Sequence, residues 1–153
     1  MFAFVKCLSL SFLITFSLSS WAAPMHIGSI SPADLLTNYE EFSKEYESFE
    51  VSEQDIKDMQ KLAGKSVLVL MGTWCHDSKR EVGRFLKLLD ASKVELAKLE
   101  LVGVDFDKKD DKHLSEKFAL QYTPTFIILA DGDEIHRVIE KPQGTLAHDL
   151  TSF

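Results

Sequence analysis

The chain has 153 residues, 45% of them hydrophobic and 27% charged, and its 24 acidic against 17 basic side chains leave a formal net charge of −7. That length suits one domain with a proper core, and the acidic balance argues against nucleic acid or an anionic membrane surface as partner. Cysteine is used twice, at Cys7 and Cys75.

Residues 1–22 read as a secretory signal peptide. Lys6 supplies the charged start, residues 8–18 the apolar run, and Ser20 and Ala22 the small-residue exit, with cleavage expected after Ala22. The apolar run is short for a bilayer span of about 20 residues, so no stable membrane anchor is expected after cleavage. Removing residues 1–22 takes away one lysine and leaves 131 residues at a net charge of −8, with Cys75 as the remaining cysteine. An exported protein with one cysteine forms no internal disulfide. Its fold must stand on packing, and its thiol is left for intermolecular work. The periplasm is the expected compartment, because Leu150-Thr151-Ser152-Phe153 is not a lumenal retrieval signal.

Ser31-Pro32-Ala33-Asp34 predicts a helix start, with Ser31 as cap, Pro32 at the first helical position and Asp34 at the positive end. That helix is expected to reach about Tyr46, with Leu35, Leu36, Tyr39 and Phe42 on one face. Ser52-Glu53-Gln54-Asp55 opens a second one, ending near Gly64. Residues 23–64 thus form a helical extension. Residues 66–71 are a continuous apolar run of β-formers, which predicts a strand buried on both faces. After Asp77, Val82, Phe85, Leu86 and Leu89 recur at helical spacing, with Lys79, Arg80, Arg84 and Lys87 opposite. Residues 99–106 read as a strand, 112–120 as a helix and 125–130 as a strand, from which Asp131-Gly132 turns a tight hairpin into 134–140. A short tail follows from Gly144.

Cys75 is the strongest functional candidate in this series. It lies in Gly72-Thr73-Trp74-Cys75-His76-Asp77-Ser78, between the first strand and the helix after it. A helix start offers free N–H donors and the positive end of the macrodipole, which favour the thiolate, the reactive form of cysteine. Lys79, Arg80 and a protonated His76 are expected to add to that effect and Asp77 to oppose it. The Ser78 hydroxyl is a further candidate to stabilise the anion.

The element order, with Trp74-Cys75-x-x-Ser78 after the first strand and Tyr122-Thr123-Pro124-Thr125 opening the third, resembles the thioredoxin superfamily over residues 65–141. The resemblance implies an α/β, thioredoxin-like three-layer fold with a mixed central sheet, the domain occupying 65–153 behind the helical extension. It implies that Cys75 is the nucleophile, with Ser78 as its catalytic partner position, and that Trp74, His76, Thr123 and Pro124 contact substrate. It further implies a cis Thr123–Pro124 bond against the active sulfur, turning the backbone of Thr123 toward an extended peptide. The chain departs from the pattern in three places. Ser78 replaces the resolving cysteine, Val69 stands where many members bury an acid, and Gly83 takes the place of a helix-kinking proline, which permits a bend without requiring one.

Two functions follow. In the first, Cys75 forms mixed disulfides with protein thiols or disulfides, with glutathione as co-substrate, in oxidoreductase- or isomerase-like chemistry. In the second, the fold is a binding module or chaperone that captures client peptides or thiols. No metal site is expected, because the five histidines are scattered and Cys75-His76 supplies two adjacent ligands at most.

Overall fold

The apolar run at 66–71 becomes the centre of a five-stranded sheet. In the computed structural model, which describes residues 24–153, the strands are β1 Gly28–Ile30, β2 Ser66–Met71, β3 Lys98–Gly103, β4 Thr125–Ala130 and β5 Asp133–Ile139. The expected leader and Cys7 lie outside the described residues. The strands are ordered β1-β3-β2-β4-β5. β2 and β3 run parallel and the other three pairings are antiparallel, so the sheet is mixed. Side chains alternate across a strand, and in β2 Val67, Val69 and Met71 enter one apolar cluster while Leu68 and Leu70 enter another.

The helices are α1 Pro32–Asn38, α2 Glu40–Ser48, α3 Glu53–Met59, α4 His76–Ser92, α5 Leu114–Lys117 and α6 Leu146–Leu150, with a 3₁₀ turn at Gln60–Leu62 continuing α3. α4 lies on the larger cluster through Val82, Phe85, Leu86 and Leu88, and α2 and α3 join it through Phe42 and Met59. On the other face, Leu68, Leu70, Val102 and Ile127 are covered by Leu114, Phe118 and Leu120, from α5 and the chain just after it. The result is a thioredoxin-like three-layer α/β fold with a mixed central sheet and an N-terminal helical extension. Among the described residues no helix is long and apolar enough to cross a membrane.

The elements depart from the sequence expectation in several places. The single helix expected to run from Ser31 to about Tyr46 is two, because Tyr39 adopts an extended backbone (φ −124°, ψ 90°) that closes α1 and opens α2. Its ring meets Phe42 edge-on and its hydroxyl donates to the Pro24 carbonyl at 2.9 Å. Glu40 and Glu41 then restart the helix where free N–H groups favour negative charge. β1 is too short to show alternation in the sequence. β3 stops at Gly103 rather than Phe106, since residues 105–109 close on themselves in a turn. The helix expected at 112–120 is one turn long, and the tail folds as α6, capped by Thr145, with Leu146, Ala147 and Leu150 buried.

α4 runs unbroken past Gly83. The glycine serves another end there, because a Cβ on it would lie 2.6 Å from the Phe42 carbonyl oxygen of α2. The missing side chain lets the extension dock closely onto α4.

Candidate functional site

β2 delivers the chain at Met71 to a turn closed by the Cys75 N–H donating to the Gly72 carbonyl at 2.9 Å. Cys75 is the N-cap of α4, with an extended backbone, and its carbonyl accepts the first helical bond, from the Lys79 N–H at 3.0 Å. Its side chain makes no capping hydrogen bond. The thiol is half-buried and donates to the Thr123 carbonyl at 3.2 Å. The Thr123–Pro124 bond is cis, and both residues are buried at the entrance to β4. Residues 48 positions apart thus meet at one sulfur.

Trp74 covers the turn. Its indole N–H donates to the Val104 carbonyl at 3.0 Å and its ring stacks on Phe106 with centroids 4.9 Å apart. Gly72 makes room for it, since a Cβ there would sit 2.7 Å from the indole. On the other side of the turn, the His26 N–H donates to the Thr73 hydroxyl at 3.0 Å, tying the chain just before β1 to the active-site loop. His76 is exposed at the first helical position.

Ser78 is fully buried, and its hydroxyl accepts from the Gly72 N–H at 3.2 Å. It makes no hydrogen bond with the Cys75 sulfur, so among the described contacts it braces the turn that carries the cysteine. The cations expected to favour the thiolate are engaged with carboxylates instead. Lys79 pairs with Glu41 of α2, and Arg80 pairs with Asp77 at 2.7 Å and Glu81 at 2.6 Å. The Glu81 hydrogen bond is the main reason that the Arg80 guanidinium is held above its ordinary pKa. For Lys79 the physical reason is α2, whose acidic face lies against α4 and cannot be placed from local sequence, whereas Arg80 takes its two carboxylates from its own helix.

Three residues of the site's surroundings, Glu81, Phe106 and Tyr122, were not among the expected site residues, Tyr122 entering only as the first residue of its motif. Glu81 is buried, with one carboxylate oxygen unpartnered among the described residues. Its signal was an acid falling on the apolar arc of α4 next to Val82. Phe106, stacked on Trp74, and Tyr122, next in the chain to Thr123, are large side chains held in solvent, and neither periodicity nor composition marks them. Among the described residues no group of three or more His, Cys, Asp or Glu side chains could hold a metal ion.

Among the described residues the single cysteine, half-buried at a helix start, is set against a cis-proline loop in a three-layer α/β fold. Among solved structures, the chain is similar to a protein of unknown function from Pseudomonas aeruginosa, at 17% identity, covering 77% of this chain and 75% of that one, with a TM-score of 0.57. It is also similar to an HIV epitope scaffold, at 16% identity, covering 75% of this chain and 74% of that one, with a TM-score of 0.56. Both likenesses bear on the fold alone. No protein-family model and no curated protein matches the chain.

Proposed function

We propose that this is an exported thiol–disulfide exchange protein related to the thioredoxin superfamily, working through one nucleophilic cysteine, Cys75. The observation that carries the reading is the placement of a half-buried thiol at the N-cap of a 17-residue helix, 3.2 Å from the backbone of Thr123 beside cis-Pro124. The helix start sets free backbone N–H donors around the sulfur's position, and the backbone before Pro124 offers an edge along which an extended substrate can lie.

In the exchange, the Cys75 thiolate attacks one sulfur of a protein disulfide or glutathione adduct. The Cys75–substrate bond forms, the substrate's own S–S bond breaks, and the leaving thiolate takes up a proton. A second substrate thiolate, or glutathione, then attacks the substrate sulfur of the mixed disulfide and releases Cys75. One S–S bond replaces another at each step: release by a second substrate thiolate moves the disulfide within the substrate and needs no outside reductant, whereas release by glutathione makes glutathione the reductant, which leaves in the new disulfide. A second reading, capture of client thiols or peptides without turnover, is favoured by Ser78, which carries no sulfur and is bonded to the Gly72 backbone. Nothing at that position releases a trapped partner.

Mass spectrometry of the protein isolated without reductant from its native compartment tests both readings. Mixed disulfides on Cys75, absent in Cys75→Ala and released by added glutathione, are expected, on a chain that begins after Ala22. Adducts that resist release support capture. A Cys75 that stays unmodified and resists glutathione disulfide sinks the exchange reading.

A further inference from the structure

The two most exposed large apolar side chains among the described residues both belong to segments that touch the active-site turn. Phe106 is 67% and Tyr122 53% exposed, whereas the other large hydrophobics at the surface range from 39% to 49%. Phe106 stacks on Trp74, the residue before Cys75, and Tyr122 is the residue before Thr123, whose carbonyl receives the S–H. Exposed apolar area gathered at one place marks a recognition surface more often than scattered area does.

Phe106 is also held in its exposed position. The turn that carries it is closed by the Asp105 N–H to the Lys109 carbonyl, the Lys108 N–H to the Asp105 carbonyl, both 3.0 Å, and the Lys109 N–H to the Asp105 carboxylate at 2.8 Å. Lys108 adopts a left-handed backbone (φ 61°) within it. The Trp74 ring under Phe106 is itself fixed by its bond to Val104. Tyr122 is anchored through its carbonyl, which accepts from the Thr125 hydroxyl at 2.7 Å. A contact surface ordered before binding loses less entropy when a partner arrives.

Charge points the same way. Lys79 and Arg80, the cations nearest the thiol in sequence, are occupied by Glu41, Asp77 and Glu81. A small, net-anionic substrate such as glutathione therefore meets no free side-chain cation from them, and it has no large apolar group to set against Phe106 or Tyr122.

Resting on the exchange reading, we infer that Phe106 and Tyr122 are specificity-determining residues that select polypeptide disulfides with a large apolar or aromatic residue beside the reacting sulfur. The bond exchanged is the one described above, and glutathione is left the role of releasing thiol.

The test uses two peptides of equal length and charge, each joined through its single cysteine to the same chromophoric aryl thiol, one with phenylalanine and one with serine beside the cysteine. The rate of aryl-thiol release by the wild type is expected to favour the phenylalanine peptide by on the order of tenfold. That ratio falls toward one in Phe106→Ser and in Tyr122→Ser and is kept in Phe106→Tyr. Equal rates for the two peptides in the wild type overturn the specificity while leaving exchange intact. Release with neither peptide overturns exchange itself. The inference is then decided by binding of the reduced peptides to Cys75→Ser, read by fluorescence anisotropy. Tighter binding of the phenylalanine peptide that is lost in Phe106→Ser upholds the specificity, and equal binding overturns it.

Discussion

Cys75 and Ser78 stand three residues apart on one helix start but serve different partners. The thiol meets the Thr123 carbonyl, and the serine hydroxyl takes the N–H of buried Gly72. Leaving a buried donor without its acceptor costs about 1–3 kcal/mol. Ser78→Ala is therefore expected to lower unfolding free energy by that amount, measured by urea denaturation of the wild type and the variant. An unchanged midpoint together with a slowed exchange rate would show instead that the hydroxyl acts on the sulfur. Trp74 belongs to the same scale. Its position is set by Gly72 beneath it, Val104 at its N–H and Phe106 across its face, so the aromatic surface next to the active-site turn is built from two segments of chain.

At the scale of elements, the segment between β3 and β4 matters most, because it carries Phe106 and then leads through α5 to Thr123. Asp110 organises it. The buried carboxylate accepts from the backbone N–H groups of Lys112, Leu114 and Ser115 at 3.0, 3.1 and 2.8 Å. Burial acts to raise its pKa, but these hydrogen bonds, that of Ser115 foremost, outweigh it and hold the carboxyl below its ordinary value of 3.8. A lowered folded value means that protonation costs the native state. The stabilisation is thus complete above the unfolded pKa and is lost as pH falls through the folded one. The difference in stability between wild type and Asp110→Ala is expected to stay level from about pH 7 to about pH 5 and to shrink below about pH 4. A difference that persists undiminished at about pH 2 contradicts the assignment. The pairing of α2 with α4 is the other decisive event here, since it brings Glu41 to Lys79 and Glu45 to Arg84 and so occupies two cations of the active-site helix.

At the scale of the whole molecule, the helical extension and the sheet share one core. Phe85 of α4 and Phe126 of β4 meet edge-on with centroids 5.2 Å apart, both fully buried, in the cluster that also holds Phe42 and Met59 of the extension. Phe85→Ala is expected to cost about 3–5 kcal/mol, a large part of the 5–15 kcal/mol typical of a domain, roughly speaking. Urea titration followed by far-UV circular dichroism and by tryptophan fluorescence checks it. Coincident transitions with a shifted midpoint are expected, and a loss under about 1 kcal/mol would place the core elsewhere. Much of this architecture was legible in the chain. The run at 66–71, the periodic face of α4 and the Asp131-Gly132 hairpin appear within a residue or two of where periodicity and turn chemistry put them. Their information is local, a matter of alternation, helical spacing and caps. The strand-to-helix position of Cys75 was legible for the same reason. The break at Tyr39, the three-residue β1 and the one-turn α5 were not, because each depends on partners far along the chain, as Tyr39 does on Pro24 and β1 on β3. By itself the sequence determined the principal elements, the two-sided burial of β2 and the presence of a single thiol at a helix start, since nearest-neighbour sterics and hydrophobic spacing suffice for these. Only the tertiary structure decided that Ser78 braces Gly72, that Glu41 occupies Lys79, and that Phe106 and Tyr122 stand exposed on segments that touch the active-site turn. Those outcomes turn on which distant groups come within hydrogen-bonding or van der Waals range, and that is settled when the layers pack.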